Sequence, residues 1–230
     1  GVKVVSGYPG TPSSEVIGSL LKMKDLDGTK VEWSTNEKVA FEVAAAASWA
    51  GHRAMCTMKM SGLNVAYDSV IGVAYSGCIG GLVIYVTDDP GVTTGMAEQD
   101  TRGFALMSDM PMLEPGSVEE SYTLTKFAFE LSEAIKSPVF VRSVTNVAQS
   151  HGIVDIEERV LPDGPKPLFE KNISMLPFSM LETYKPLLAV STLAESAIPC
   201  ESAVAMEQLI MEEAKRNSKN IKGLETMAYQ

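Results

Sequence analysis

The fold is decided at Gly7-Tyr8-Pro9-Gly10-Thr11-Pro12-Ser13-Ser14-Glu15, a segment that separates two apolar stretches of different kinds. The apolar run before it, residues 2–5, is typical of a strand, and the apolar residues of 16–21 after it have helical spacing. We therefore predict a strand, a tight turn and a helix, with Thr11 as the N-cap and Pro12 at the first helical position. Such a helix N-terminus favours an anion, but an ordinary strand-to-helix connection explains the same residues.

Strand and helix patterns alternate about six times over residues 1–145. This alternation predicts an α/β fold in which a parallel sheet is covered by helices on both faces. Ligands of such folds bind beyond the carboxyl ends of the strands. Four segments are therefore expected to meet at that edge of the sheet: residues 7–14, 34–37, 59–64 and 88–102.

Composition narrows the class of protein. The chain has 230 residues, 45% of them hydrophobic, and a net charge of −10, which argues against a nucleic acid partner. No apolar run in the sequence reaches the roughly 18 residues that a membrane span requires. The spacing of Cys56, Cys78 and Cys200 does not match a zinc or iron–sulfur site, so we predict reduced core cysteines in a cytoplasmic protein. Because the chain lacks an initial Met, we expect a fragment or a split subunit.

Four motifs, in the correct order and spacing, resemble the 2-oxoacid:ferredoxin oxidoreductases, in particular their indolepyruvate branch. They are Gly7–Glu15, Glu32–Ala40, Met58–Ala66, and Val86–Gly91 together with Glu98–Arg102. The resemblance covers about residues 1–155 and implies the pyrimidine-binding domain of a thiamine-diphosphate enzyme. Residues 156–230 would then be a linker or C-terminal extension toward a missing domain, and they include an amphipathic helix predicted from Cys200 to about Asn217.

The resemblance assigns cofactor contacts at the start of two helices. It places the key glutamate of the family at Glu37, which is expected to hydrogen-bond the aminopyrimidine ring and so promote proton removal from the thiazolium. It places the loop against the cofactor at Ser61, Gly62 and Leu63, where Gly62 would allow the ring to approach closely. Taken alone, Glu37 would be an acid that interacts favourably with the helix dipole.

The resemblance also suggests how a substrate carboxylate is held. Thr11 matches a threonine that hydrogen-bonds this group in related enzymes. Many relatives have an arginine just after the fourth strand, where this chain has Asp88 and Asp89. We therefore expect Lys59 or Arg102 to supply the positive charge, although each could equally be a solvated loop cation.

Two further departures concern the substrate side chain. The indolepyruvate branch usually has His where this chain has Met60, and Ser-Gln-Asn where it has Gly95-Met96-Ala97. The resemblance therefore leaves the selectivity for an aryl side chain open.

Parts that a complete enzyme requires are missing from the sequence. It has no Gly-Asp-Gly motif followed by Asn to hold Mg²⁺ and diphosphate, and no cysteine clusters for iron–sulfur centres. The resemblance implies that a separate diphosphate-binding domain or subunit supplies them. The assembly would convert a 2-oxoacid and coenzyme A to an acyl-CoA and reduce ferredoxin. We also expect a homo-oligomer, because the cleft and the Ala-rich second helix would otherwise expose apolar surface.

Two alternatives remain open at the level of sequence. The chain could be a non-catalytic scaffold or assembly module with the thiamine fold, which the missing metal motif favours. It could also belong to an enzyme that uses Glu37 as a general base without thiamine.

Overall fold

A computed structural model describes residues 1–23, 26 and 28–156, all of which lie in one compact unit. Within these ranges no helix combines the length and the apolar character that crossing a membrane demands. The predicted boundary near residue 155 and the helix predicted at 200–217 concern the chain outside the described residues, and they stay predictions.

Strands and helices alternate along the described chain. In order, they are β1 (Val4–Gly7), α1 (Ser14–Leu20), β2 (Lys30–Trp33), α2 (Glu37–Trp49), β3 (Ala54–Lys59), α3 (Met60–Ser76), β4 (Leu82–Asp88), α4 (Arg102–Met107), β5 (Met112–Leu113), α5 (Val118–Ile135), β6 (Val139–Val144) and α6 (Thr145–Ala148). This order confirms the predicted alternation.

The six strands form one sheet in the order β2-β1-β3-β4-β6-β5, and every neighbouring pair is parallel. Parallel pairing follows from the connections, because each contains a helix or a long loop that returns the chain to the opposite edge. The predicted α/β class is thereby confirmed. All carboxyl ends of the strands lie on one side, where Gly7 pairs with Thr57 and Lys59 pairs with Thr87.

Helices cover both faces of the sheet, as predicted. Helices α2 and α3 pack on one face, around Phe41, Leu63 and Phe140. Helices α1 and α5 pack on the other face, around Ile17 and Phe129. Strand β4 supplies side chains to both clusters in alternation and reads as a continuous apolar run, which is typical of a central parallel strand.

The start of α1 differs from the prediction. The helix begins at Ser14, so Thr11 is not its N-cap and Pro12 is not its first residue. The hydroxyl of Ser13 donates to Gly10 O (2.6 Å), and the hydroxyl of Ser14 accepts from Gly10 N (2.7 Å). These two serines complete a turn at Gly10 before the helix begins, and this leaves Thr11 exposed in the turn.

Helix α2 begins as the sequence indicates, because the Asn36 side chain accepts a hydrogen bond from Val39 N (2.9 Å). Its alanines are mostly inside: Ala40, Ala44 and Ala45 are buried in the cluster between α2, α3 and the sheet. Small side chains allow this helix to approach the strands closely. The Ala-rich helix therefore gives no reason of its own to expect self-association, which stays a prediction.

One buried hydroxyl joins α5 to the centre of the sheet, and its removal is a test of the fold. Ser132 Oγ accepts from Leu82 N (2.9 Å) and donates to Ser137 O (2.8 Å). We expect Ser132→Ala to lower the free energy of unfolding by about 1–3 kcal/mol, because it leaves a buried donor and a buried acceptor without partners. Urea unfolding followed by circular dichroism measures this change.

Ser121→Ala is the matched control on the same helix. Its hydroxyl donates only to Ser117 O of the preceding turn, so the change should stay within about 0.5 kcal/mol. Equal stability losses in the two variants would contradict the role given to Ser132.

Candidate functional site at the carboxyl edge of the sheet

The four segments predicted to meet at one edge of the sheet are in contact there. The segments after β1 and β2, the start of α3, and the loop after β4 are joined by backbone and side-chain hydrogen bonds. These are Ser34 N to Gly7 O (2.8 Å), Thr94 Oγ1 to Thr11 O (3.3 Å) and Gln99 Nε2 to Met60 O (3.1 Å). The sequence therefore located the edge correctly, and the structure shows what each segment contributes.

Glu37 and Gly62 are in close contact in this region. Glu37 is the first residue of α2, and its side chain lies against Gly62 in the first turn of α3. A Cβ at residue 62 would lie 2.5 Å from Glu37 Cγ and 2.6 Å from Glu37 Oε1, closer than such atoms can approach. Residue 62 must therefore be glycine for Glu37 to hold this position. Glycine was predicted there for the approach of a cofactor ring, which stays a prediction, and the structure shows that the Glu37 side chain also requires it.

The Glu37 carboxylate has unused hydrogen-bonding capacity. The side chain is half-buried, yet no described residue donates a hydrogen bond to it or forms an ion pair with it. Most acceptors with limited access to water have a partner. The Glu37 carboxylate is therefore a negatively charged acceptor available to a ligand at this edge. Its contact with the first turn of α3 holds the carboxylate in place.

The two predicted cations differ sharply in their surroundings. Lys59 ends β3, its stem packs on Gly10, and it forms no ion pair with any described residue. Arg102 instead donates two hydrogen bonds to Glu114, each 2.7 Å, and a third to Asp100. The hydrogen bonds from Arg102 hold the pKa of the Glu114 carboxyl below its usual range. The charge of Lys59 is thus available to a ligand, while that of Arg102 is already neutralised.

The remaining predicted residues differ in whether a ligand can reach their side chains. Thr11 and Ser61 are exposed at this edge, and the Thr11 hydroxyl has no hydrogen bond within the described part of the chain. Leu63 is fully buried in the core between α2, α3 and the sheet. Its side chain has no exposed surface, so a cofactor contact at Leu63 would have to come from the backbone, and that contact stays a prediction.

Asp89 was not predicted to have a structural role, but it organises the loop after β4. Its carboxylate accepts hydrogen bonds from the hydroxyls of Thr93 (2.5 Å) and Thr145 (2.7 Å) and from the backbone N–H groups of Thr94 (2.5 Å) and Gly95 (2.9 Å). These bonds, led by that of Thr93, hold the pKa of the Asp89 carboxyl far below its usual range. The run of Thr and Gly a few residues after an Asp is a local signal for such a turn.

Arg142 was also missed. Its guanidinium is nearly buried on β6 and donates to Asp88 at the end of β4, at 2.7 Å. Asp88 and Asp89 are thus both bound within the protein. No group of three or more His, Cys, Asp or Glu side chains suited to hold a metal ion occurs in residues 1–23, 26 and 28–156.

Comparisons with known proteins identify the family of the chain. The family model for the thiamine-diphosphate-binding part of pyruvate flavodoxin/ferredoxin oxidoreductases matches residues 1–206. Indolepyruvate oxidoreductase subunit IorA of Pyrococcus abyssi is 47% identical over 157 residues, which cover 68% of this chain and 24% of that protein. The same subunit of Methanothermobacter marburgensis is 45% identical over 172 residues, 75% of this chain and 28% of that protein. The chain thus spans about a quarter of the length of these relatives.

A solved structure shares the fold. The 2-oxoglutarate:ferredoxin oxidoreductase of Magnetococcus marinus, determined with 2-oxoglutarate, coenzyme A and succinyl-CoA bound, superimposes with a TM-score of 0.59 at 22% identity. The match covers 64% of this chain and 27% of that one.

The hydrogen bonds of Asp89 make stability depend on pH. A carboxylate whose pKa is lowered by folding stabilises the protein above its unfolded pKa of about 4, and this stabilisation is lost as pH falls below that value. We expect Asp89→Asn to lower the melting temperature at pH 7 and to flatten its decline between about pH 5 and pH 3. Thermal unfolding at several pH values measures both effects.

Asp155→Asn is the matched control, because Asp155 is exposed near the end of the described chain. Its melting temperatures should follow those of the parent protein at every pH. A decline in Asp89→Asn as steep as in the parent would contradict the part given to the Asp89 carboxylate.

Proposed function

This chain belongs to the pyruvate flavodoxin/ferredoxin oxidoreductase family of thiamine-diphosphate-binding domains, and from that premise we propose which half of the cofactor site it forms. We propose that it holds the aminopyrimidine ring of thiamine diphosphate in an enzyme that oxidatively decarboxylates a 2-oxoacid. The similarity to indolepyruvate oxidoreductase subunits over two thirds of the chain supports this proposal.

The observation that carries the proposal is the Glu37 carboxylate, held against Gly62 and without a partner among the described residues. These residues fit the ring, because a half-buried acceptor at this edge suits a ring nitrogen that carries a proton. When bound, thiamine diphosphate supplies the electron sink that accepts the electron pair released by decarboxylation. Glu37 holds a proton at the ring nitrogen, and the wall of α3 keeps its carboxylate in one orientation.

Substrate recognition is assigned to the turn at Gly10 and the end of β3. The Lys59 ammonium and the Thr11 hydroxyl are both without partners among the described residues, and the Lys59 stem packs on the same turn that carries Thr11. A cation and a hydroxyl are suited to bind the carboxylate of a 2-oxoacid. The exposed Ser61 is assigned to the cofactor. The pairing of Arg102 with Glu114 argues against a role for Arg102 in binding substrate.

The indolepyruvate oxidoreductase relatives favour an indolepyruvate-like substrate. Met60 and Gly95, two of the departures from that branch, lie together: a Cβ at residue 95 would be 3.1 Å from the Met60 methyl group. A side chain at residue 95 would therefore displace the Met60 methyl group slightly, so these two departures lie in contact near the site.

The rest of the reaction is assigned to other parts of the assembly. A second domain or subunit would hold Mg²⁺ and the diphosphate, and iron–sulfur clusters would pass electrons to ferredoxin. Coenzyme A would accept the acyl group, as the ligands of the 2-oxoglutarate enzyme suggest for that protein. We further propose a homo-oligomer in the cytoplasm. The buried free thiols of Cys56 and Cys78, whose pKa values burial raises, are compatible with a reducing compartment.

Glu37→Gln in the complete enzyme tests the proposal. Glutamine keeps the size of the side chain but cannot hold the proton at the ring nitrogen, so we expect kcat/KM to fall by about 10²–10⁴-fold. Dye reduction that depends on a 2-oxoacid measures turnover, and calorimetry with thiamine diphosphate and Mg²⁺ measures binding.

Glu130→Gln, on the exposed side of α5, is the control and should leave turnover unchanged. If the complete protein neither binds nor requires thiamine diphosphate, the chain is a scaffold with this fold. Full turnover by Glu37→Gln in an enzyme that does require the cofactor would overturn the role of Glu37.

Gly62→Ala tests the contact that orients Glu37. The new Cβ would overlap the Glu37 side chain, which must turn away, so we expect affinity for thiamine diphosphate to fall at least about tenfold. The melting temperature should change by only a few degrees, because the displaced group is the flexible end of a half-buried side chain.

Gly72→Ala is the matched control in the same helix, since nothing lies within 4 Å of its Cβ position. It should stabilise the protein by up to about 1 kcal/mol through helix propensity and leave cofactor binding unchanged. Unchanged cofactor binding in Gly62→Ala would contradict the orienting contact.

A further inference from the structure

A cluster of charged side chains lies beside the candidate site, near the carboxyl ends of β4, β6 and β5, with a buried ion pair at its centre and exposed members around it. We call it the Arg142 cluster and define it as Arg142, Asp88, Glu114, Asp100 and Arg102. Arg142 is 6% exposed and Asp88 is fully buried. No part of the proposed function uses this cluster, although it adjoins the loop after β4.

Sheet register brings the members together from distant parts of the chain. Val86 of β4 pairs with Arg142, and Leu113 of β5 pairs with Val141, so Glu114 follows beside Arg142. The guanidinium then binds two carboxylates directly, Asp88 Oδ2 at 2.7 Å and Glu114 Oε2 at 3.0 Å. The carboxylate of Asp100 lies 3.8 Å away.

Asp88 fixes one end of the loop of residues 89–101. The loop starts directly after Asp88 and returns to it, because the same Oδ2 that binds Arg142 accepts a hydrogen bond from Thr101 N (2.9 Å). Near its start the loop folds around the Asp89 carboxylate, as described above. Both ends are therefore anchored by adjacent residues, Asp88 at the end of β4 and Asp89 directly after it.

The middle of this loop contacts the candidate site at two places. Thr94 Oγ1 lies 3.3 Å from the carbonyl oxygen of Thr11 and shares its one proton between that oxygen and Asp89 Oδ2 (3.0 Å), and Gln99 Nε2 donates to the carbonyl of Met60. Gln99 also exchanges hydrogen bonds with the side chain of Asn64 on α3 (2.9 and 3.0 Å). The position of the loop thus bears on both the substrate turn and the helix that carries Gly62.

Arg142 is the only cation that pairs with Asp88 among the described residues. The second oxygen of Asp88, Oδ1, is buried and has no hydrogen-bond partner. Burying a carboxylate without a counter-charge is strongly unfavourable, whereas a paired one is tolerated. Without Arg142, Asp88 would be a buried carboxylate without a counter-charge and would have to turn toward water, which weakens its bond to Thr101 N.

We propose that Arg142 is a positioning residue that, through Asp88, holds the loop 89–101 against the Thr11 turn and the start of α3. Arg142 touches neither substrate nor cofactor in this assignment. The effect on turnover rests on the proposed function, but the effect on the loop does not.

Arg142→Met in the complete enzyme, studied by hydrogen exchange and kinetics, tests the proposal. We expect amides of residues 93–101 to exchange at least about tenfold faster, while those of α2 and β3 keep their rates. KM for the 2-oxoacid should rise at least about tenfold, with kcat changed less, because the loop fixes the geometry of binding. Arg142→Lys, which keeps the charge but not the forked geometry, should recover part of both effects.

Arg53→Met is the matched control. Arg53 also binds a carboxylate in forked geometry, with its Nε 2.7 Å and its Nη2 2.6 Å from Glu133, but it lies before β3 at the opposite edge of the sheet. It should change neither the exchange of residues 93–101 nor KM. Equal loosening of the loop in Arg53→Met, or native exchange there in Arg142→Met, overturns the proposal.

A second variant decides the question if Arg142→Met does not fold. The pair Asp88→Asn with Arg142→Met removes both buried charges together and avoids an unpaired one. Fast exchange confined to residues 93–101 in this folded pair supports the proposal, and native exchange there overturns it. Full turnover by Glu37→Gln would refute the role of Glu37 in the proposed function and leave the loop result untouched.

Discussion

The parallel pairing of all six strands is the constraint on which the site depends. It places the carboxyl ends of β1, β2, β3 and β4 at one edge, so that segments up to about 90 residues apart along the chain come into contact. Within that edge, the absence of a side chain at Gly62 provides the space that Glu37 occupies. Strand order thus determines where the candidate site lies, and the missing Cβ of Gly62 determines how Glu37 is placed within it.

The charged side chains at this edge are of two kinds: some are paired within the protein, and others are available to bind a ligand. Asp88, Asp89 and Arg102 are bound to partners within the protein and stabilise the loop and the start of α4. Glu37 and Lys59 have no partner among the described residues. A carboxylate suited to a ring nitrogen and an ammonium suited to a substrate carboxylate are what remain for a ligand. This division supports the proposed half-site for thiamine diphosphate and is consistent with the family of the chain.

The loop after β4 is held by contacts at both of its ends and along its middle. Two aspartates bind the loop at both ends. The positive charge proposed to bind a substrate carboxylate comes instead from Lys59 at the end of β3. The methyl group of Met60 lies close to residue 95, where an added Cβ would be 3.1 Å away. The loop therefore contacts the start of α3 as well as the Thr11 turn.

The sequence by itself determined the features that neighbouring residues encode. The alternation of elements, the Asn36 and Ser117 caps and the place of Glu37 at the start of a helix follow from periodicity and local hydrogen bonding. Only the tertiary structure decided which groups meet: Gly62 with Glu37, Arg102 with Glu114, and Arg142 with Asp88. Each of these contacts joins separate elements, so it depends on strand order and helix packing, which no local pattern specifies. For that reason the edge of the sheet was predictable, whereas the choice between Lys59 and Arg102 was not.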